Sequence, residues 1–188
     1  MLRQFLVRVR DERDARLHEP RLQRAVDRLG ILRPELVLFV CLGNICRSPF
    51  AARLLASRRP DLRVESAGFI GPGRPPPEAA IATAQARGID HAAHRSTLVT
   101  SRLLEEAEAV FVFDRHNVKR LHVVSGTRTD CVFWLGDFDP VWAGKRAIAD
   151  PWGRPLEEFE QTFARIARCI DRVASVIEPQ EANDPASP

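Results

Sequence analysis

An uninterrupted apolar run, Leu36-Val37-Leu38-Phe39-Val40, leads straight into Cys41, a Gly43-Asn44 pair, Ser48-Pro49 and the stretch Phe50 to Arg58. A short apolar run that is partly β-branched and lacks polar alternation reads as a strand covered on both faces, as in a parallel sheet. Ser48 fits a helix cap and Pro49 the first helical position, so the segment reads as strand, tight loop, helix. The pattern repeats more faintly downstream. Leu62 to Glu65, Ala109 to Phe113 and Cys131 to Leu135 read as strands, and Pro77 to Arg87, Thr100 to Ala107 and Arg115 to His122 as helices, the first of them ended by Gly88. A last helix starting near Pro155 brings Phe159, Phe163, Ile166, Ile170 and Val173 onto one buried face. Strands alternating with helices predict an α/β fold with a mostly parallel sheet, whose ligands bind at the carboxyl ends of strands.

Composition bounds what such a fold can be for. The 188 residues suffice for one domain with a substantial core, and 45% hydrophobic with 28% charged residues excludes disordered, collagen-like and membrane classes. The net charge is only +3 and the arginines are interleaved with acids, so no nucleic-acid footprint is expected. Phe5 to Val7 is too short an apolar stretch for a signal peptide, and no run approaches the roughly 20 residues of a membrane span. No membrane insertion is expected. Four cysteines without a secretory signal indicate a reducing compartment, so the expected location is cytoplasmic. Residues 1–34 read as an Arg-rich N-terminal helical extension, with Pro20 at a helix start and Gly30 at its end. Residues 179–188 are polar and Pro-containing, and read as a disordered tail.

The chemistry lies in Cys41-Leu42-Gly43-Asn44-Ile45-Cys46-Arg47-Ser48-Pro49. Spacing alone does not single out a thiol and a guanidinium six apart; their place at a strand's carboxyl end, just before a helix, does. A loop entering a helix presents free backbone N–H groups, and the helix dipole adds positive potential, so a phosphoryl group is stabilised there. The same field favours thiolate over thiol, which makes Cys41 a nucleophile for a phosphate monoester. Arg47 supplies the planar fork that holds two phosphoryl oxygens at once. Taken alone, Cys41 would read as a small core hydrophobe ending a strand. For Cys46 a packing role and a redox role, through a disulfide with Cys41 under peroxide, both stay open. Cys131 and Cys169 read as core residues.

The stretch Val40 to Pro49 resembles the signature of the low-molecular-weight protein tyrosine phosphatase family. The resemblance continues through Ser66-Ala67-Gly68, Gly88-Ile89-Asp90 with His94-Arg95, Phe113-Asp114-Arg115 and Asp150-Pro151-Trp152-Gly153. It implies a phosphatase-like domain over 35–178: a four-stranded parallel sheet flanked by helices on both faces, with a phosphate-binding loop after the first strand. It also implies a two-step reaction on phosphotyrosine, in a protein or a small aryl phosphate, through a cysteinyl-phosphate and without metal or other cofactor. By position, Cys41 matches the nucleophile, Arg47 the phosphate-binding arginine and Asp150 the general acid, with His116 and Asp139 the next acids to consider. Leu42, Gly43, Asn44, Ile45, Cys46, Ser48 and Trp152 are the expected substrate-binding residues. Ser66 and His94, together with Asn44 and Ser48, match positions that brace the loop.

Departures from the family pattern matter as well. The chain has no tyrosine, so the tyrosine pair that follows the Asp-Pro in animal members is missing and Trp152 is expected as an aromatic wall. The loop after Gly68 is Pro-rich and lacks the usual pocket aromatic, for which Phe69 is the expected substitute. Three other readings stand beside the main one. An arsenate reductase on this scaffold needs resolving cysteines close together, and Cys131 and Cys169 are far apart in sequence. A protein-arginine phosphatase carries Thr where this chain has Ile45. A non-catalytic phosphoprotein-binding module needs neither thiolate nor acid.

Overall fold

The apolar run forms the centre of the sheet, as its lack of polar alternation requires. The computed structural model describes residues 12, 14–125 and 130–177, so the expected tail at 179–188 and residues 1–11 and 13 of the Arg-rich extension lie outside the described residues. In chain order these form α1 (His18–Leu32), β1 (Leu36–Cys41), α2 (Arg47–Arg58), β2 (Arg63–Gly68), α3 (Glu78–Gln85), α4 (Ser101–Glu106), β3 (Ala109–Val112), α5 (Arg115–Ser125), β4 (Val132–Trp134), a 3₁₀ turn (Leu135–Phe138) and α6 (Leu156–Val176). The strands lie in the order β2-β1-β3-β4 and every pairing is parallel. The chain steps one way from β1 to β2, then crosses back over β1 to β3. That reversal leaves the carboxyl ends of β1 and β3 at the position where open α/β sheets bind ligands.

Side chains of β1 alternate between two cores. Val37, Phe39 and Cys41 join α2, α6 and the stacked rings of Phe39 and Phe111, 5.1 Å apart, on one face. Leu36, Leu38 and Val40 join Leu104 and Leu121 on the other. The expected face of α6 is fully inside: Phe159, Phe163, Ile166, Ile170 and Val173 are all buried, and Phe163 stacks on Phe50 at 4.2 Å. Thr100 caps α4 by accepting the Leu103 N–H at 3.2 Å, and Gly88 closes the α3 segment with φ of 73°.

Three expectations are corrected. Gly30 lies within α1, which continues to Leu32 and closes on Arg33 in the left-handed region, φ 43°. Ser48 does not cap α2: the helix begins at Arg47 and the Ser48 hydroxyl turns inward to the loop. The last expected strand is only three residues long and gives way to the 3₁₀ turn, which buries Leu135 and Phe138 under α1 and α6. Among the described residues no helix is long and apolar enough to cross a membrane.

Candidate active site

Cys41 ends β1 opposite Gly68 of β2, and its sulfur looks into the loop that follows. The Asn44 N–H donates to Cys41 Sγ at 3.3 Å, and Ser48 Oγ lies 3.0 Å from the same sulfur. Asn44 takes a left-handed conformation, φ 50°, which asparagine tolerates better than most residues. Its side chain is the hub of the loop. Nδ2 donates to Ser48 Oγ at 3.0 Å and Ser66 Oγ at 2.9 Å, while Oδ1 accepts the Thr97 N–H at 2.8 Å. The Asn44 carbonyl accepts from His94 Nε2 at 2.7 Å, and the Ile45 carbonyl lies 3.4 Å from His91 Nε2. Burial pushes His91 down to about 4 and lowers His94 as well, so both rings are neutral at pH 7. Asn44 and Ser48, expected both to bind substrate and to brace the loop, are fully buried, with their side chains engaged in the bracing.

The loop packs so closely on β2 that a Cβ added at Gly68 would fall 2.8 Å from the Asn44 nitrogen and 2.9 Å from its Cβ. Those neighbours are the loop's own backbone and hub, with no flexible side chain to yield. Gly68→Ala should therefore displace the loop and lower kcat/KM on nitrophenyl phosphate by about 10²-fold, the scale of an ångström-sized misplacement. Unchanged kinetics would show that the loop does not depend on this close approach.

Arg47 is 1% exposed and firmly tethered. Its NH1 donates to Asp114 Oδ2 at 2.7 Å and to the Ile148 carbonyl at 3.0 Å, and NH2 donates to Asp150 Oδ2 at 2.6 Å. Its Nε is buried and has no hydrogen-bond partner among the described residues. Burial works against its charge, but Cys41, Asp150 and Asp114 oppose that and the net shift is upward. Asp114 is a site residue that sequence reasoning passed over. Its Oδ1 accepts the Asn117 N–H at 2.9 Å at the start of α5 while Oδ2 holds Arg47. The available signal was an acid just past the carboxyl end of β3, inside the quoted Phe113-Asp114-Arg115.

A pocket of about 120 Å³ opens over the loop, lined by Cys41, Leu42, Gly43, Ile45, Cys46, Ile70, Arg74, Asp150 and Trp152. Trp152 stands at the mouth, 61% exposed. Phe69 is not among the residues lining the pocket: it packs against the core on the face of the sheet that holds Leu104 and Leu121, with the Arg120 guanidinium 6.0 Å from its ring, and Ile70 lines the pocket instead. Arg74 was also missed, hidden among the prolines of its loop. Burial, then the charges of Asp150 and Cys41, push the Cys46 thiol well above its usual value. Asp139 is fully buried and ion-paired with Arg165 and Arg168, and His116 is exposed on α5; neither lines the pocket. Cys131 and Cys169 are buried in the two different cores, on opposite faces of the sheet.

A thiol on the central strand of a parallel sheet, inside a loop of N–H groups that runs into a helix beside a buried guanidinium, defines a class: the cysteine-dependent phosphatases. Residues 36–182 match the profile of the low molecular weight phosphotyrosine protein phosphatases, and the chain belongs to that family. It is 35% identical to the probable low molecular weight protein-tyrosine-phosphatase EpsP of Ralstonia nicotianae, over 72% of this chain and 90% of EpsP. Vibrio vulnificus Wzb, solved with benzylphosphonate, superposes with a TM-score of 0.68 at 27% identity, covering 75% of this chain and 97% of Wzb. The YwlE arginine phosphatase of Geobacillus stearothermophilus superposes with a TM-score of 0.67 at 33% identity, covering 76% and 92%.

Proposed function

We propose that the chain hydrolyses phosphotyrosine, in proteins or as small aryl phosphates, in the cytoplasm, with 35–178 as the catalytic domain and 1–34 as an extension of it. The observation that carries this reading is the pairing of Arg47 with Asp150 at 2.6 Å beside the Cys41 pocket. NH1 is tied to Asp114 and Ile148, which leaves the Nε–NH2 edge for two phosphoryl oxygens. A bound dianion competes with Asp150 for NH2 and so releases the carboxyl group beside the leaving oxygen. Cys41 Sγ attacks phosphorus, the P–O bond to the aryl oxygen breaks, and Asp150 gives that oxygen its proton. Water then attacks phosphorus, Asp150 takes the water's proton, and the P–S bond breaks to return the thiolate and inorganic phosphate. The charge is met throughout by Arg47 and the loop N–H groups.

Likeness to an arginine phosphatase supports a second reading, phosphoarginine. The apolar rim of Ile45, Ile70 and Trp152 favours the aryl ring, whose faces it can cover. The test is turnover with a chelator present, comparing a phosphotyrosine peptide with a phosphoarginine peptide of the same sequence. Phosphotyrosine is expected to be preferred by at least about tenfold, as one well-matched pocket can provide. A preference for phosphoarginine would reverse the assignment, and activity that disappears with the chelator would remove the metal-free mechanism.

A further inference from the structure

Helix α1 lies outside the residues that match the family, and its amino-terminal end reaches the loop that carries Asp150. His18 is 7% exposed and donates its Nε2–H to the Asp139 backbone carbonyl at 2.9 Å, across 121 positions of sequence. Its ring also meets Trp142, with centroids 5.2 Å apart. Leu22, Ala25 and Leu29 bury the same helix against the 3₁₀ turn and α6, so the histidine is presented from a fixed platform.

Asp139 is where the loop is anchored. Its carboxylate, wholly buried, accepts from Arg165 Nε at 2.9 Å and Arg168 Nε at 3.1 Å. Arg165 continues from there to the carbonyl of Ala147 at 2.9 Å and to that of Lys145. The Ile148 N–H then pairs with the Phe113 carbonyl at 2.8 Å, two residues before Asp150. The returning limb lies directly on the 3₁₀ turn, since a Cβ at Gly136 would clash with the Arg146 carbonyl oxygen. Residues 145–148 are thus tied to α6 and Phe113, while the stretch just after Asp139 is held by the Val141 N–H, which donates to Asp139 Oδ1 at 3.3 Å, and by the contacts of His18 with the Asp139 carbonyl and Trp142.

We propose that α1 is part of the general-acid apparatus: His18, with Trp142, fixes the 139–150 loop so that Asp150 stands over the pocket. His18 is a positioning residue, touching neither substrate nor reacting atoms, and the proposal rests on the reading of Asp150 as the acid. Losing the bond leaves a buried carbonyl unpaired and lets the loop sample other arrangements, which lowers the share of molecules with Asp150 in reach of the leaving oxygen.

The test is single-turnover kinetics of the full chain on a phosphotyrosine peptide and on nitrophenyl phosphate, whose leaving group needs less acid help. His18→Leu is expected to slow the peptide by about tenfold and nitrophenyl phosphate by no more than about twofold, part of what complete loss of an acid costs. His18→Gln, which keeps an N–H donor, should recover most of the difference. In an Asp150→Asn background His18→Leu should add no further leaving-group dependence, because the two act through one step. Trp142→Leu leaves α1 intact and should show the same selective loss, smaller in size, even where His18→Leu does not fold. Equal losses on both substrates, or a lowered Tm with an unchanged ratio, would overturn the proposal and leave α1 a purely stabilising element. If Asp150→Asn itself showed no leaving-group dependence, the acid assignment would fail, and this proposal with it.

Discussion

Cys41→Ser should fold, bind phosphate and turn over aryl phosphates slower by roughly 10⁴-fold or more, the scale reached when a covalent nucleophile is removed. The fold should survive because oxygen replaces sulfur at a buried strand end whose neighbours, Ser48 Oγ and the Asn44 N–H, can hydrogen-bond to a hydroxyl equally well. Binding should survive because it rests on the loop N–H groups and on Arg47, whose tethers to Asp114 and Ile148 do not involve residue 41. Turnover should not, since a serine hydroxyl stays protonated at neutral pH and neither histidine near the loop can serve it. His91 and His94 point their Nε2 atoms at the Ile45 and Asn44 carbonyls. Titration calorimetry with inorganic phosphate and steady-state rates on nitrophenyl phosphate measure the two halves. A residual rate within about tenfold of the parent would place the nucleophile elsewhere, since covalent catalysis contributes far more than that.

How much of this was readable in the chain follows from how local each feature is. The run Leu36 to Val40 could only be a doubly covered strand, and the α6 periodicity put five apolar side chains on one face, both of them buried as expected. The thiol, the loop and the guanidinium are contiguous, so their association needed no tertiary knowledge. Asn44 is different: its partners Ser48, Ser66, His94 and Thr97 come from three separate segments, brought together by the β1–β2 register and by the bonds of Gly68 to Thr97 and Val99, so only the family resemblance, and no local rule, pointed to Ser66 and His94. Ser48 illustrates the cost of local rules, for a serine before a proline reads as a cap until a buried asparagine claims its oxygen. The 3₁₀ turn was hidden because an apolar run of strand composition continues into it, and the fold there is set by α1 and α6 packing over it. Asp139 was weighed as an acid for want of any way to see Arg165 and Arg168 across the helix turn that pairs them with it.

Asp150→Asn should cost about 10²–10⁴-fold in the phosphorylation step on a phosphotyrosine peptide, because tyrosine phenolate is a basic leaving group that departs poorly without a proton. On nitrophenyl phosphate the same variant should lose far less, as nitrophenolate leaves readily unaided. Single-turnover measurement is required, because the hydrolysis step uses residue 150 as a base and would mask the contrast at steady state. Binding gives an independent sign. Asp150 Oδ2 holds Arg47 NH2 at 2.6 Å, so an uncharged amide there removes both a competitor for the guanidinium and a negative charge facing the incoming dianion. Inorganic phosphate should therefore bind Asp150→Asn more tightly than the parent while the chemistry slows. Asp114→Asn should not behave this way, for Asp114 grips NH1 and holds Arg47 from behind, so its loss should weaken phosphate binding. Equal single-turnover losses on both substrates, with phosphate binding unchanged, would reduce Asp150-Pro151 to a turn that happens to carry an ion pair.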